Sequence, residues 1–172
     1  MTDLKVLETE RLILTGWRAD QLDDLVALHG DASTARYLSA SGAPWTREQA
    51  ESRLAVWMDE FANHRMGKLR VIRKSDGALV GRAGYSLYPP TGEPEIGYAL
   101  YPEYRGAGYA REAAEGLRDW LFRETDWTHF IGFADVRNAA SLKILRSIGM
   151  EPTKVAVDNG MECQFHVLRK AV

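Results

Sequence analysis

Cysteine is nearly absent from this chain: Cys163 stands alone among 172 residues, which excludes an intrachain disulfide and a cysteine-rich metal site. It lies among Met161, Gln164 and Phe165 and reads as a small packed side chain rather than a reactive thiol. Also missing is any apolar run near the roughly 20 residues that a membrane span needs. The first dozen residues carry Asp3, Lys5, Glu8, Glu10 and Arg11, so no signal-peptide core can be drawn there. A soluble, cytoplasmic protein with no membrane partner is the expectation. Twenty-two basic residues stand against 24 acidic ones, a net charge of −2, with no long run of either sign. The basic footprint of a nucleic-acid partner is therefore missing. His29, His64, His129 and His166 show no spacing suited to a metal, so none is expected. Repeats, low-complexity tracts and linkers are lacking too. An apolar fraction of 45% and a charged fraction of 27% then suit one domain spanning residues 1–172.

What is present reads as alternating strands and helices. Leu12 to Trp17 has strand character, and a short helix follows from about Asp20 to His29. Gly30 to Trp45 is irregular. Thr46 and Gln49 have capping-box spacing at the head of a longer helix, Arg47 to His64. Strand patterns cover Lys68 to Arg73 and Leu79 to Leu87 around the turn Ser75-Asp76-Gly77. Pro89-Pro90-Thr91-Gly92 breaks the chain before a strand from Glu95 to Leu100. A helix from about Ala107 to Glu124, a strand from Phe130 to Ala134 and a helix from Ala139 to Ile148 come next. Val155 to Val157 and Gln164 to Leu168 close the series around Asp158-Asn159-Gly160. This order implies a three-layer α/β/α sandwich on a mixed, mostly antiparallel sheet of about seven strands.

The stretch most suggestive of chemistry joins the Glu95 strand to the next helix. In Arg105-Gly106-Ala107-Gly108-Tyr109-Ala110, two glycines let the backbone approach a ligand closely. The helix start adds unpaired N–H groups with partial positive charge, and the pair makes an anion site suited to a diphosphate. Arg105 places a charge at its entrance. A tight turn asks for the same glycines. Position 111, three beyond Gly108, is arginine, so the three-glycine dinucleotide pattern fails, and no Gly-Lys-Ser/Thr ending is present. In the helix behind the loop, Ala110, Ala113, Ala114, Leu117, Trp120 and Leu121 share one face at 100° per residue.

A second pattern opens the last helix. Asn138 and Ser141 project toward its apolar face with Ile144, Leu145 and Ile148, while Lys143, Arg146 and Ser147 point away. Asn138 is placed to cap the helix. Ser141 either bonds back to its own helix or faces a ligand.

Together these motifs resemble the GNAT acetyltransferases. Arg105 to Ala110 is similar to that superfamily's R/Q-x-x-G-x-G/A signature. The spacing from Asn138 through Ser141 to Gly149-Met150 resembles the branch containing the ribosomal-protein N-terminal acetyltransferases. Leu7-Glu8-Thr9-Glu10-Arg11-Leu12-Ile13-Leu14 matches that branch's first strand and Glu95-Ile96-Gly97-Tyr98 its fourth, so the likeness runs from about residue 7 to 168. It implies acetyl-CoA as co-substrate, with its pyrophosphate on the N–H groups of Gly106, Ala107, Gly108, Tyr109 and Ala110. Its pantetheine arm would pair with the backbone of Ala99, Leu100 and Tyr101. It also implies cofactor contact by Asn138 and Ser141, and direct attack by an amine with no enzyme nucleophile. Glu95 is the expected base. Many relatives supply a tyrosine acid seven residues after the asparagine, but here that position is Leu145, and Ser141 is the candidate substitute. The acceptor is a protein N-terminus or a small amine. A non-catalytic acyl-CoA sensor is the alternative, and exposed sheet edges leave room for a homodimer. Trp45, Tyr37, Tyr85, Tyr88 and the Tyr88–Pro94 segment are candidates for lining the acceptor pocket.

Overall fold

A computed structural model of the protein describes residues 3–172; Met1 and Thr2, which the single-domain expectation included, lie outside the described residues. The elements run β1 (Lys5–Glu8), β2 (Leu12–Thr15), α1 (Leu22–His29), α2 (Ala32–Ala35), α3 (Arg47–His64), β3 (Gly67–Arg73), β4 (Leu79–Leu87), β5 (Pro94–Leu100), α4 (Tyr109–Glu124), β6 (His129–Asp135), α5 (Ala139–Ser147), β7 (Glu151–Asp158) and β8 (Met161–Arg169). They build one eight-stranded sheet in the order β1-β2-β3-β4-β5-β6-β8-β7. Every pairing is antiparallel except β5 with β6. The strand count is eight rather than about seven because Thr9, Glu10 and Arg11 fold into a turn, with Thr9 N–H donating to Leu12 O at 2.9 Å. Lys5–Glu8 is thus an added strand, and β2 covers Leu12–Thr15 of the stretch expected from Leu12 to Trp17.

Register decides which side chains meet. Across β2 to β5, Leu14, Val71, Ala83, Tyr85, Ile96, Tyr98 and Leu100 point to one face, where α4 and α5 complete the main core. On that core Tyr85 meets Phe130 edge-on at 5.4 Å. α4 buries Tyr109, Ala113, Ala114, Leu117, Trp120 and Leu121, close to the face that its periodicity predicts. The opposite face lies under α1 and α3, with a smaller apolar cluster of Trp17, Leu25, Ala50, Leu54 and Trp57. Thr46 and Gln49 form the expected capping box at the head of α3, Gln49 N–H to Thr46 Oγ1 being 3.1 Å and Thr46 N–H to Gln49 Oε1 2.9 Å. Within the irregular segment, Asp31 caps the one-turn α2 by accepting from Thr34 N–H at 3.0 Å. No helix of the described residues is long and apolar enough to cross a membrane.

Candidate active site

The one parallel pairing creates the site. β5 and β6 share a single register pair, Glu95 with Ile131, and beyond it toward Leu100 they diverge. A sheet that splits this way leaves the backbone of β5 facing an open fork instead of a neighbour. Gly97, Tyr98 and Ala99 are half-exposed along it. Leu100 is buried in the main core, and Tyr101 donates its N–H to Val80 O at 3.0 Å. The Tyr101 hydroxyl anchors to Asp24 O at 2.5 Å.

At the open end of the fork sits the glycine loop. Gly106 and Gly108 have φ of +86° and +83°, conformations costly for other residues. α4 therefore begins at Tyr109, two residues later than its periodicity suggests. A Cβ at Gly106 would meet nothing within 4 Å and one at Gly108 only Arg11 Nη2 at 3.4 Å, so these glycines serve backbone shape rather than close packing. The first intrahelical bond is Glu112 N–H to Gly108 O at 3.0 Å, and no side chain caps the helix. The N–H groups at the head of α4 thus lack intrahelical acceptors and carry the positive end of the helix dipole. Residues 105–108 are exposed. An anion of pyrophosphate size fits the chemistry of this donor set.

Two sets of contacts hold the loop. Arg105 donates to Ser33 Oγ and Thr34 Oγ1, each at 2.9 Å, and to Leu100 O at 3.2 Å. All three acceptors are neutral, so its charge stays at the loop while its side chain ties the loop to α2. On the other side, the β1–β2 turn grips the first turn of α4. Glu112 accepts from Thr9 Oγ1 at 2.5 Å, Arg11 N–H at 2.9 Å and Arg11 Nε at 2.7 Å, and Arg11 Nη1 donates to Ala107 O at 2.9 Å. A groove of about 560 Å³ runs behind this clamp between the turn and the outer side of α4. Neither Glu95 nor Ser141 borders it.

Glu95 stands at the root of the fork. Its side chain is 18% exposed and its Oε2 lies 3.5 Å from Lys68 Nζ. Burial pushes the carboxyl above the usual range, against the pull of Lys68 and Arg82. Burial likewise draws Lys68 down, with Glu95 opposing.

Across the fork, α5 brings Asn138 and Ser141. Asn138 Oδ1 accepts from Ser141 N–H at 3.2 Å, the capping role its position predicts. Ser141 does not bond back along its own helix. Its Oγ donates to the Tyr98 hydroxyl at 3.0 Å, and that hydroxyl donates to Ser141 O at 2.9 Å. Burial raises the Tyr98 phenol above its ordinary value. Leu145, at the position where a tyrosine acid was looked for, is buried in the main core.

Of the residues named for the acceptor side, Trp45 stacks on His29 with ring centroids 3.6 Å apart, and Tyr85 is fully buried in the main core. Tyr37 lies beneath Arg36 and Arg137. Tyr88 packs on Phe133 and Phe165, and its hydroxyl donates to Asp158 Oδ1 at 2.7 Å. Sequence reasoning missed Tyr98, Lys68 and Arg82. The signal for Arg82 was a lone charge inside the run Leu79 to Leu87, a strand covered on both faces. The clamp residue Glu112 also passed unnoticed, because surface carboxylates are usual in a first helical turn.

Comparison with known proteins identifies the family and the fold. The sequence model of the acetyltransferase (GNAT) domain matches residues 11–151. The uncharacterized N-acetyltransferase p20 of Bacillus licheniformis is 25% identical over 150 residues, covering 86% of this chain and 83% of that protein. An acetyltransferase of Agrobacterium tumefaciens superposes with a TM-score of 0.83 at 22% identity, covering 99% of this chain and 97% of the other. The ribosomal L7/L12 α-N-protein acetyltransferase RimL, solved with coenzyme A, superposes with a TM-score of 0.78 at 15% identity, covering 94% and 96%. These last two likenesses are of fold.

Proposed function

The chain belongs to the GNAT acetyltransferase family, and we propose that it moves the acetyl group of acetyl-CoA to a primary amine by direct attack within a single domain. The observation that carries this reading is the fork: a half-buried carboxylate at its root, uncapped helix N–H groups at its mouth, and free strand backbone between them. RimL, of the same fold, is held with coenzyme A. Acetyl-CoA chemistry also favours a cytoplasmic location.

In this reading the loop of Gly106, Ala107, Gly108, Tyr109 and Ala110 holds the pyrophosphate, with Arg105 setting the loop's position and local charge. The backbone of Ala99, Leu100 and Tyr101 lies along the pantetheine arm, and Asn138 shapes the α5 end. Glu95 removes a proton from the acceptor ammonium. The freed nitrogen forms its bond to the acetyl carbonyl carbon as the carbon–sulfur bond breaks, and the nitrogen then gives up its extra proton, leaving an amide. Ser141, its hydroxyl turning from Tyr98, donates a hydrogen bond to the departing sulfur, which takes up the proton released by the nitrogen and leaves as thiol. Tyr98 is a positioning residue that fixes the Ser141 hydroxyl. Retention of Glu95 and Ser141 on opposite sides of the fork favours catalysis over a sensor.

Calorimetric titration with acetyl-CoA, followed by thiol release across amines and N-terminal peptides, tests the reading. Binding with release of CoA is expected, and binding without release on any amine would transfer the case to a sensor. Tyr98→Phe is expected to lower kcat by about 10-fold with little change in the KM for acetyl-CoA. Its effect should largely vanish in a Ser141→Ala background, whereas a purely structural Tyr98 would act additively. Gly108→Val is expected to weaken acetyl-CoA binding by at least about 10-fold, since a β-branched residue at φ +83° re-aims the helix N–H groups. A folded Gly108→Val protein that binds as tightly as the parent would sink the phosphate-cradle assignment.

A further inference from the structure

Strands β3 to β5 carry an unusual burden under α1 and α3. Register places Lys68, Arg70, Arg82 and Glu95 on this one face. Three of these ions have partners of opposite charge. Arg70 reaches Asp3 at 3.2 Å and Asp24 at 3.1 Å, and Lys68 has Glu95. Arg82 is different. Only 6% exposed, it has no carboxylate within ion-pairing distance among the described residues. Its one side-chain bond there runs from Nε to His29 Nε2 at 3.3 Å, beside the Trp57 ring. Burying a charge without a counter-ion is costly. His29 supplies none: burial first, then Arg82, hold its imidazole neutral, with a pKa down at about 2. From α3, Arg53 and Glu60 add one charge of each sign to the surroundings. Apart from Arg70 with Asp3 and Asp24, the cations Lys68, Arg82 and Arg53 face the carboxylates Glu95 and Glu60, which leaves one positive charge in excess between α3 and the fork.

That excess borders a partly exposed stretch of β5. Gly97 and Ala99, opposite Gly84 and Arg82 on β4, are half-exposed on the same face. A Cβ on Gly97 would lie 2.9 Å from Lys68 Cε, 3.1 Å from Lys68 Nζ and 3.4 Å from Arg82 Nη1. The two cations therefore converge on a strip of β5 at Gly97, where even a Cβ would crowd Lys68. Lys68 also touches Glu95, so this strip and the proposed base are separated by no more than the span of a small molecule.

We infer that Arg82, with Lys68 beside it, binds an oxyanion on the acceptor, which makes the acceptor a small amine bearing a carboxylate or phosphate a few bonds from its nitrogen. This deepens the acetyl-transfer reading and rests on it. A polycation such as a polyamine meets like charge beside Arg82 and Lys68. A peptide N-terminus, with an amide where the carboxylate would be, leaves Arg82 without its counter-ion. Arg82 is a binding residue here, since the guanidinium fork donates to two oxygens of a carboxylate or phosphate.

The test compares matched pairs on the full chain: free amino acids with their carboxamides, 2-aminoethyl phosphate with ethanolamine, plus spermidine and an N-terminal peptide. Thiol release gives kcat/KM, and calorimetry in the presence of CoA gives acceptor binding without turnover. The anionic member of at least one pair is expected to be favoured by about 10-fold or more, the scale of one charge-assisted hydrogen bond. Which pair responds separates carboxylate from phosphate. Arg82→Gln should reduce that preference by about 10-fold. Arg82→Met, which keeps the stem against Trp57, serves if the glutamine variant fails to fold. Equal use of anionic and neutral partners, or preference for spermidine or the peptide, overturns the inference while leaving acetyl transfer standing. Absence of CoA release with every amine overturns acetyl transfer. In that case the binding titrations still decide on the anion, and equal affinity within both pairs overturns it.

Discussion

Glu95→Gln lowers kcat/KM for acetyl transfer by about 10²- to 10⁴-fold, the range expected when a general base is lost. The amide keeps the shape of the side chain and removes only its capacity to take a proton. A pH profile makes the result specific. Burial raises the Glu95 carboxyl, and a base acts only when deprotonated. The parent's kcat/KM should therefore fall with decreasing pH through a value above the ordinary glutamate pKa of about 4.3. The variant should lose that acidic limb. Lys68 loses its counter-ion in the same substitution, so folding must be checked by circular dichroism and a melting curve. A folded Glu95→Gln protein with parental rates at every pH would remove Glu95 from the chemistry.

The second large effect is on stability. Glu112→Ala deletes the acceptor of three hydrogen bonds, from the Thr9 hydroxyl and from the main chain and guanidinium of Arg11. The Glu112 side chain is 17% exposed and Arg11 42%, so part of this interaction is screened by solvent. A loss of about 3 kcal/mol is expected, because partly buried donors are left unpaired. For a chain of this size that corresponds to a drop of about 6–12 °C in Tm. Acetyl-CoA affinity should fall with it, since Arg11 also holds Ala107 O in the glycine loop. Burial alone would raise the Glu112 carboxyl, but the bonds from Thr9 and Arg11 outweigh it and hold it below the usual range. Its contribution is therefore present above the unfolded-state pKa and disappears as pH falls through the lower folded one. Melting curves for parent and variant should converge toward strongly acidic pH. A variant melting within a degree of the parent at neutral pH would show that the clamp holds nothing.

Most strands and helices were legible in the sequence because burial imposes period on it. The alternation of Ile96, Tyr98 and Leu100, and the repeat of Ala113, Ala114, Leu117 and Trp120, each mark a face that must find a partner. The break at Thr9 to Arg11 escaped because that segment has no glycine or proline, its turn being made by a threonine hydroxyl and a distant glutamate. The glycine loop was legible because positive φ selects glycine. The Tyr98–Ser141 contact was not, since it joins residues 43 positions apart, and periodicity fixes a face without fixing what faces it. Arg82 shows the same limit: a charged residue inside a strand signals an exception, while its partner depends on where α1 and α3 come to rest.

The lone register pair between β5 and β6 has a consequence for how the molecule assembles. From β1 to β5, each strand pairs with its predecessor in the chain. Such sequential antiparallel neighbours close short loops at little entropic cost. β6 arrives only after the α4 crossover, and β8 then enters between β6 and β7. The chain is thus two locally wound pieces, with the seam between them lying along the fork. Along that seam few ladder bonds cross, so cohesion rests on the apolar contacts of α4 and α5 with the sheet. A molecule that fills the seam acts as a splint between the two pieces, and it raises the free energy of unfolding by an amount that grows with its concentration relative to its Kd.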